Sequence, residues 1–190
     1  MLKAAENGQM ETLRWLLRPA VTVAGVDPVD ADMGYLPKDE HVAASAFQDL
    51  AGFGDLELMK RVLKLYPNFE DDDTIWLPYW GEAQQKACIS GDLELVTWLV
   101  EHPIGRKKCE QLKETRHIDH LLQVAAAEGH IKVVECLQDQ GAVDISGNAM
   151  LIAVRKGHTK VVEVLQDPNW YAEKGDAGRL THQASLSSRR

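Results

Sequence analysis

Apolar residues recur along this chain at helical spacing, in five short runs that each hinge on a glycine. The runs begin at Ala4, Leu50, Ala87, Ala125 and Ala153 and read AAENGQMETLRWLL, LAGFGDLELMKRVL, ACISGDLELVTWLV, AAAEGHIKVVECLQ and AVRKGHTKVVEVLQ. Their pivots are Gly8, Gly54, Gly91, Gly129 and Gly157, separated by 46, 37, 38 and 28 residues. In the third and fourth runs the apolar positions lie two, four, five and eight after the glycine: Leu93, Leu95, Val96 and Leu99, then Ile131, Val133, Val134 and Leu137. That spacing is one face of a helix. Lys132, Glu135, Lys160 and Glu163 fall on the opposite face. Ahead of the glycine, Ala4, Ala87, Ala125 and Ala153 are small enough for a neighbouring helix to approach closely. The glycine itself can take the left-handed conformation that ends a helix. Each run therefore predicts a helix, a glycine turn and a second helix. A pair of this size cannot bury its apolar face alone, so the copies must stack into a solenoid with one continuous core.

The runs AAAEGHIKVVECLQDQGA from Ala125 and AVRKGHTKVVEVLQ from Ala153 resemble ankyrin repeats, whose consensus carries LAA, GH, VV, LL and GA in this order. The resemblance implies an all-α, ankyrin-type solenoid of about five stacked repeats over residues 1–166. Residues 167–190 are left as a C-terminal cap and tail. Where the family usually has Thr-Pro-Leu-His, this chain has Ser45 to Gln48, Glu82 to Gln85, His120 to Gln123 and Asn148 to Leu151, each without the proline. Irregular or shortened finger loops are expected, with a tight loop from Gly141 to Gly147 in the last. The first unit starts so close to Met1 that its first helix lacks a beginning, which fits either a frayed end repeat or a chain that continues upstream.

Three connectors exceed what the fold requires, and such loops often carry a solenoid's individuality. The first, Arg18 to Ala44, holds Pro19, Pro28 and Pro37 among aspartates and reads as an irregular acidic loop. The second, Lys64 to Gly81, joins Glu70, Asp71, Asp72 and Asp73 to Trp76, Tyr79 and Trp80. Aromatic and acidic residues on one loop suit a basic, partly apolar partner surface. Trp76 and Trp80, four apart, equally fit packing of the loop onto the stack. The third, Glu101 to Asp119, mixes Arg106, Lys107, Lys108, Lys113 and Arg116 with acids and reads as a solvated surface.

Charge and chemistry narrow the function. A net charge of -8 argues against general affinity for nucleic acid or anionic membranes. No stretch approaches the roughly 18 apolar residues of a membrane span. Cys88, Cys109 and Cys136 form no CxxC pair, which favours a reducing, intracellular and cytoplasmic setting. Gly52-Phe53-Gly54 lacks the third glycine of a dinucleotide loop, and His117, His120 and Cys109 lack a fourth metal ligand. The acidic run lacks the alternation of a calcium loop. His130 and His158 both follow a pivot glycine, so their recurrence is positional. No nucleophile or general-base signature appears, and neither catalysis, cofactor nor metal is expected.

The expectation is a monomeric, non-enzymatic module that binds a protein partner on the concave side formed by first helices and loop tips. Trp76, Tyr79 and Trp80 would be its aromatic anchors and Asp71, Asp72 and Asp73 its acidic complement. Gln85, Lys86, Glu128, Arg155 and Lys156 would line the groove. The rival expectation is a structural spacer within a larger repeat protein. Beyond the last unit, Pro168 should stop the helix, and Trp170 and Tyr171 are placed to cover the open end of the stack.

Overall fold

The computed structural model describes residues 40–66, 73–110, 116–144 and 146–166. The unit pivoting on Gly8, nearly all of the first connector, Asp71, Asp72, Trp170 and Tyr171 lie outside them. Among the described residues there are nine helices and no strand, in the order α1 (Glu40–Phe53), α2 (Leu56–Lys64), α3 (Asp73–Ser90), α4 (Leu93–Glu101), α5 (Pro103–Glu110), α6 (His117–Glu128), α7 (Ile131–Asp139), α8 (Asn148–Lys156) and α9 (Thr159–Gln166). Four of the five expected helix pairs are therefore present, as α1/α2, α3/α4, α6/α7 and α8/α9.

The turns form as the pattern requires. Gly54, Gly91, Gly129 and Gly157 all have φ between +72° and +79°. The residue after the glycine then divides the units into two kinds. Asp55 and Asp92 cap the helix that follows, each accepting the amide N–H three residues on at 3.1 and 3.0 Å. His130 and His158 instead reach back to the preceding repeat, where Nε2 meets the carbonyl oxygens of Ile89 and Ala127 at 2.9 and 3.1 Å. The recurrence of these histidines is structural, as their position suggests.

Burial follows one register. Counted from the glycine, the first helices α1, α3 and α6 bury positions −11, −10, −8, −7, −4 and −3. The second helices α2, α4 and α7 bury +4, +5, +8 and +9. Position +2, expected on the apolar face, is only partly covered, and Leu93 there is 40% exposed. First helices pack on first helices, α1 on α3, α3 on α6 and α6 on α8, while α7 touches α4 and α9 in a second layer. One apolar cluster runs from Ala43 to Val161.

Two connectors differ from expectation. The second half of Lys64 to Gly81 is not a loop: α3 starts at Asp73, because Trp76, Trp80, Ala83 and Ala87 extend the helical spacing upstream of the repeat. The third connector is not wholly solvated: α5 packs against α3, α4 and α6 and buries Ile104, Gly105 and Cys109. The tight loop between α7 and α8 is present, with positive φ at Gly141 and Gly147. Asp144 closes it by accepting the N–H groups of Ala149 and Met150 at 3.1 and 2.9 Å.

Candidate functional site

With positions −11, −10, −8, −7, −4 and −3 of α1, α3 and α6 committed to the core, each first helix leaves a stripe at −9, −6, −5, −2 and −1. The stripes of α1, α3, α6 and α8 form a continuous free face. Six before the glycine in the first three described units stand Gln48, Gln85 and Gln123, all half-buried. None of these three amides bonds another described residue. Beside them Lys86 on α3 pairs with Asp49 on α1 at 2.7 Å, and Lys156 on α8 pairs with Glu128 on α6 at 3.0 Å. The hydrogen bond and charge of Lys156 hold the Glu128 carboxyl below the usual carboxylate range. Apolar surface is interspersed, with Ile89 54% and Phe53 49% exposed. Arg155 is exposed at the α8 end of the face.

Gln85, Lys86, Glu128, Arg155 and Lys156 thus share this face. The aromatic residues expected to join them divide. Tyr79 is half-buried, its ring meeting His41 edge-on at 6.3 Å. Trp76 and Trp80 are 0% exposed and offer no surface to a partner, which corrects their assignment as anchors. They belong to an aromatic core: Phe47 stacks on Trp80 at 4.8 Å and meets Trp76 edge-on at 5.9 Å. Trp98, half-buried beside them, lies 5.6 Å from Trp80. Asp73 is the first residue of α3.

Two polar arrangements have no counterpart in the repeat pattern. Asp119 is 6% exposed and receives Arg116 through Nε and Nη2 at 3.1 and 3.0 Å, and the amide of Val143 at 2.8 Å. Arg116 also donates to the Gly141 carbonyl at 2.9 Å, so the pair ties the start of α6 to the loop after α7. Next to it an open cavity of about 270 Å³ is lined by Val100, Arg106, Cys109, Glu110, Arg116, Ile118 and Gln140. Arg116 is already spent on Asp119. Among the described residues no group of three His, Cys, Asp or Glu side chains converges as a metal site. Nor is any described helix long and apolar enough to cross a membrane.

The register of buried positions, the glycine turns and the back-reaching histidines agree with a comparison to known families: residues 85–176 match the ankyrin-repeat family model, in three copies. Residues 85–176 are therefore ankyrin repeats. No curated protein and no solved structure matches it. The family match begins within α3 and covers the later repeats, whereas the repeat on Gly54 lies upstream of it yet keeps the same buried register. Ankyrin repeats are generally protein–protein interaction modules and typically non-catalytic. The glutamine row in this repeat array was accessible to sequence alignment, since all three fall six before a pivot glycine. It is inconspicuous there because the finger motif that normally draws attention to this position is absent.

Proposed function

We propose that this repeat array is a non-enzymatic binding module that takes an extended segment of a protein partner along the concave side of its first helices. The observation that carries the reading is the row Gln48, Gln85 and Gln123, whose amides are unspent among the described residues. Each side-chain amide offers a donor and an acceptor, the complement of a peptide group. Packed helices stand about 8–10 Å apart. An extended chain covers that distance in about three residues at roughly 3.3 Å each, so successive glutamines match every third peptide unit. Ile89 and Phe53 supply apolar contact beside the row, and Lys86, Glu128, Arg155 and Lys156 supply a charged rim.

Photo-crosslinking tests this, with p-benzoylphenylalanine placed at Gln85 or Gln123 on the first helices and, in a control, at exposed Lys132 on α7. A partner captured from 85 and 123 but not from 132 is the expected result. With that partner in hand, the double substitution Gln85→Ala/Gln123→Ala should weaken binding about tenfold, or roughly 1.4 kcal/mol. Capture from 132 alone, or unchanged affinity in the double variant, would overturn the proposed face.

A further inference from the structure

The last described repeat loosens the burial register on one side, and at position +8, where Val62, Leu99 and Leu137 are buried, Leu165 is half-buried. Three before the glycine, Ala51, Cys88 and Ala126 are 0% exposed, but Val154 is 57% exposed. Seven before it, Phe47, Gln84 and Leu122 are at most 1% exposed, whereas Met150 is half-buried. Five after it, Met59, Val96 and Val134 are at most 1% exposed, whereas Val162 is half-buried. Nine after it, Leu63, Val100 and Gln138 are buried and Gln166 is exposed. Yet Ala149, Ala153 and Val161, at −8, −4 and +4, are as buried as in every other unit, at 1% or less. The uncovered positions are therefore those that face the next layer of the stack.

Met150, Val154 and Val162 make this end face apolar. A solenoid's terminal repeat instead needs a polar outer face to remain soluble. The only link across it among the described residues is the thin contact from Gln166 Nε2 to Met150 Sδ at 3.6 Å. Something has to cover the face.

We propose that residues 167–176 of this same chain cover it, with Trp170 and Tyr171 laid against Val154 and Val162. The chain leaves α9 at Gln166, a residue of the face itself. Trp170 follows four residues later, a reach of roughly 13 Å when extended. The match to ankyrin repeats continues to residue 176, ten residues past the end of α9. Two aromatic side chains bury roughly 150–250 Å² each, enough to close a face of three aliphatic residues. A tether this short also holds them at a millimolar effective concentration, ahead of a second copy free in solution.

The test uses the full chain in four forms: wild type, Trp170→Ala/Tyr171→Ala, Val154→Glu, and the combination of all three. Hydrogen exchange is followed peptide by peptide, with light scattering for molar mass. The aromatic double variant and Val154→Glu should each speed exchange in α8 and α9 at least tenfold while leaving α3 to α6 unchanged. The combined variant should exchange no faster than Val154→Glu alone, because both changes remove one contact. Arg155→Glu, on the neighbouring free face, should have no such effect. Wild-type exchange in the aromatic variant would overturn the proposal, as would multiplicative effects in the combination. So would a wild-type mass of two chains that falls to one in Val154→Glu, since the cover would then be a second copy.

Discussion

Trp80 donates its indole N–H to the carbonyl oxygen of Leu99 at 2.9 Å. That carbonyl lacks its usual helical partner because the residue four positions on is Pro103, which has no N–H to give. Gln84 Nε2 supplies a second bond to the same oxygen at 3.1 Å. Gly105 permits the approach, since a Cβ there would run into the Leu99 carbonyl. Trp80 is therefore both core filler and cap for the end of α4. Trp80→Phe, which leaves Gln84 as the remaining donor, should lower stability by about 1 kcal/mol. Trp80→Ala should lower it by about 3–5 kcal/mol in urea denaturation. A Trp80→Ala protein as stable as wild type would show that the indole is not part of the core.

The histidine after each later pivot rests on the glycine of the repeat before it. A Cβ on Gly129 would lie 2.6 Å from the His158 ring, but one on Gly157 would meet nothing within 4 Å. Both glycines have nearly the same φ, +77° and +79°, so the conformational penalty of alanine is common to both, about 1–2 kcal/mol. Gly129→Ala should exceed Gly157→Ala by a further ~1–3 kcal/mol, the scale of an overpacked contact. Thermal unfolding of the two variants checks this, and Gly129→Ala/His158→Ala should recover part of the difference. Equal losses at the two glycines would mean that the ring yields freely.

His117 gives the fold a pH dependence. Burial first, then the nearby charges of Lys108 and His120, hold its imidazole down to about 4, against a backbone hydrogen bond to Gly81 that pulls upward. Its folded value lies below the unfolded one, so the neutral ring favours the folded state. That contribution is complete above about pH 6.5 and is lost as the pH falls toward 4. The melting temperature of His117→Gln should fall less between pH 7.5 and 5 than that of wild type. An identical fall in the two proteins would assign the acid sensitivity to other groups.

The repeat units were legible because the sequence states their register five times. The glycine pivots and the +4, +5 and +8 positions each have one structural solution, and the first three described units adopt it in full, while the last keeps the pivot and +4 and leaves +5 and +8 half-buried. The connectors have no second copy to compare with, and there reading by composition misjudged the chain. Trp76, Trp80, Ala83 and Ala87 carry a helical spacing of their own, but aromatic and acidic content suggested a binding loop. In α5 the many charges of Pro103–Glu110 masked the buried Ile104, Gly105 and Cys109. Charge on one side of a short helix says little about what the other side touches. The Asp119 network was illegible for a different reason: its partners, Val143 and Gly141, lie more than twenty residues away, and only the fold brings them together.

The three cysteines should differ sharply in reactivity. Cys88 is fully buried, and burial, reinforced by the neighbouring Cys109 and Cys136, drives its thiol far above the ordinary range. Burial likewise pushes Cys109 up to about 11, although a hydrogen bond from Gln84 works in the other direction. Cys136 is only half-buried, its sulfur 3.5 Å from the Thr97 hydroxyl on the adjacent second helix. Since the thiolate is the reactive form, an aromatic disulfide reagent at pH 8 should label one thiol quickly and the other two only as fast as the stack opens. Cys136→Ser should abolish the fast phase and leave the slow one. Rapid labelling of Cys88 in the Cys136→Ser protein would mean that α3 is far less firmly packed between α1 and α6 than its buried register requires.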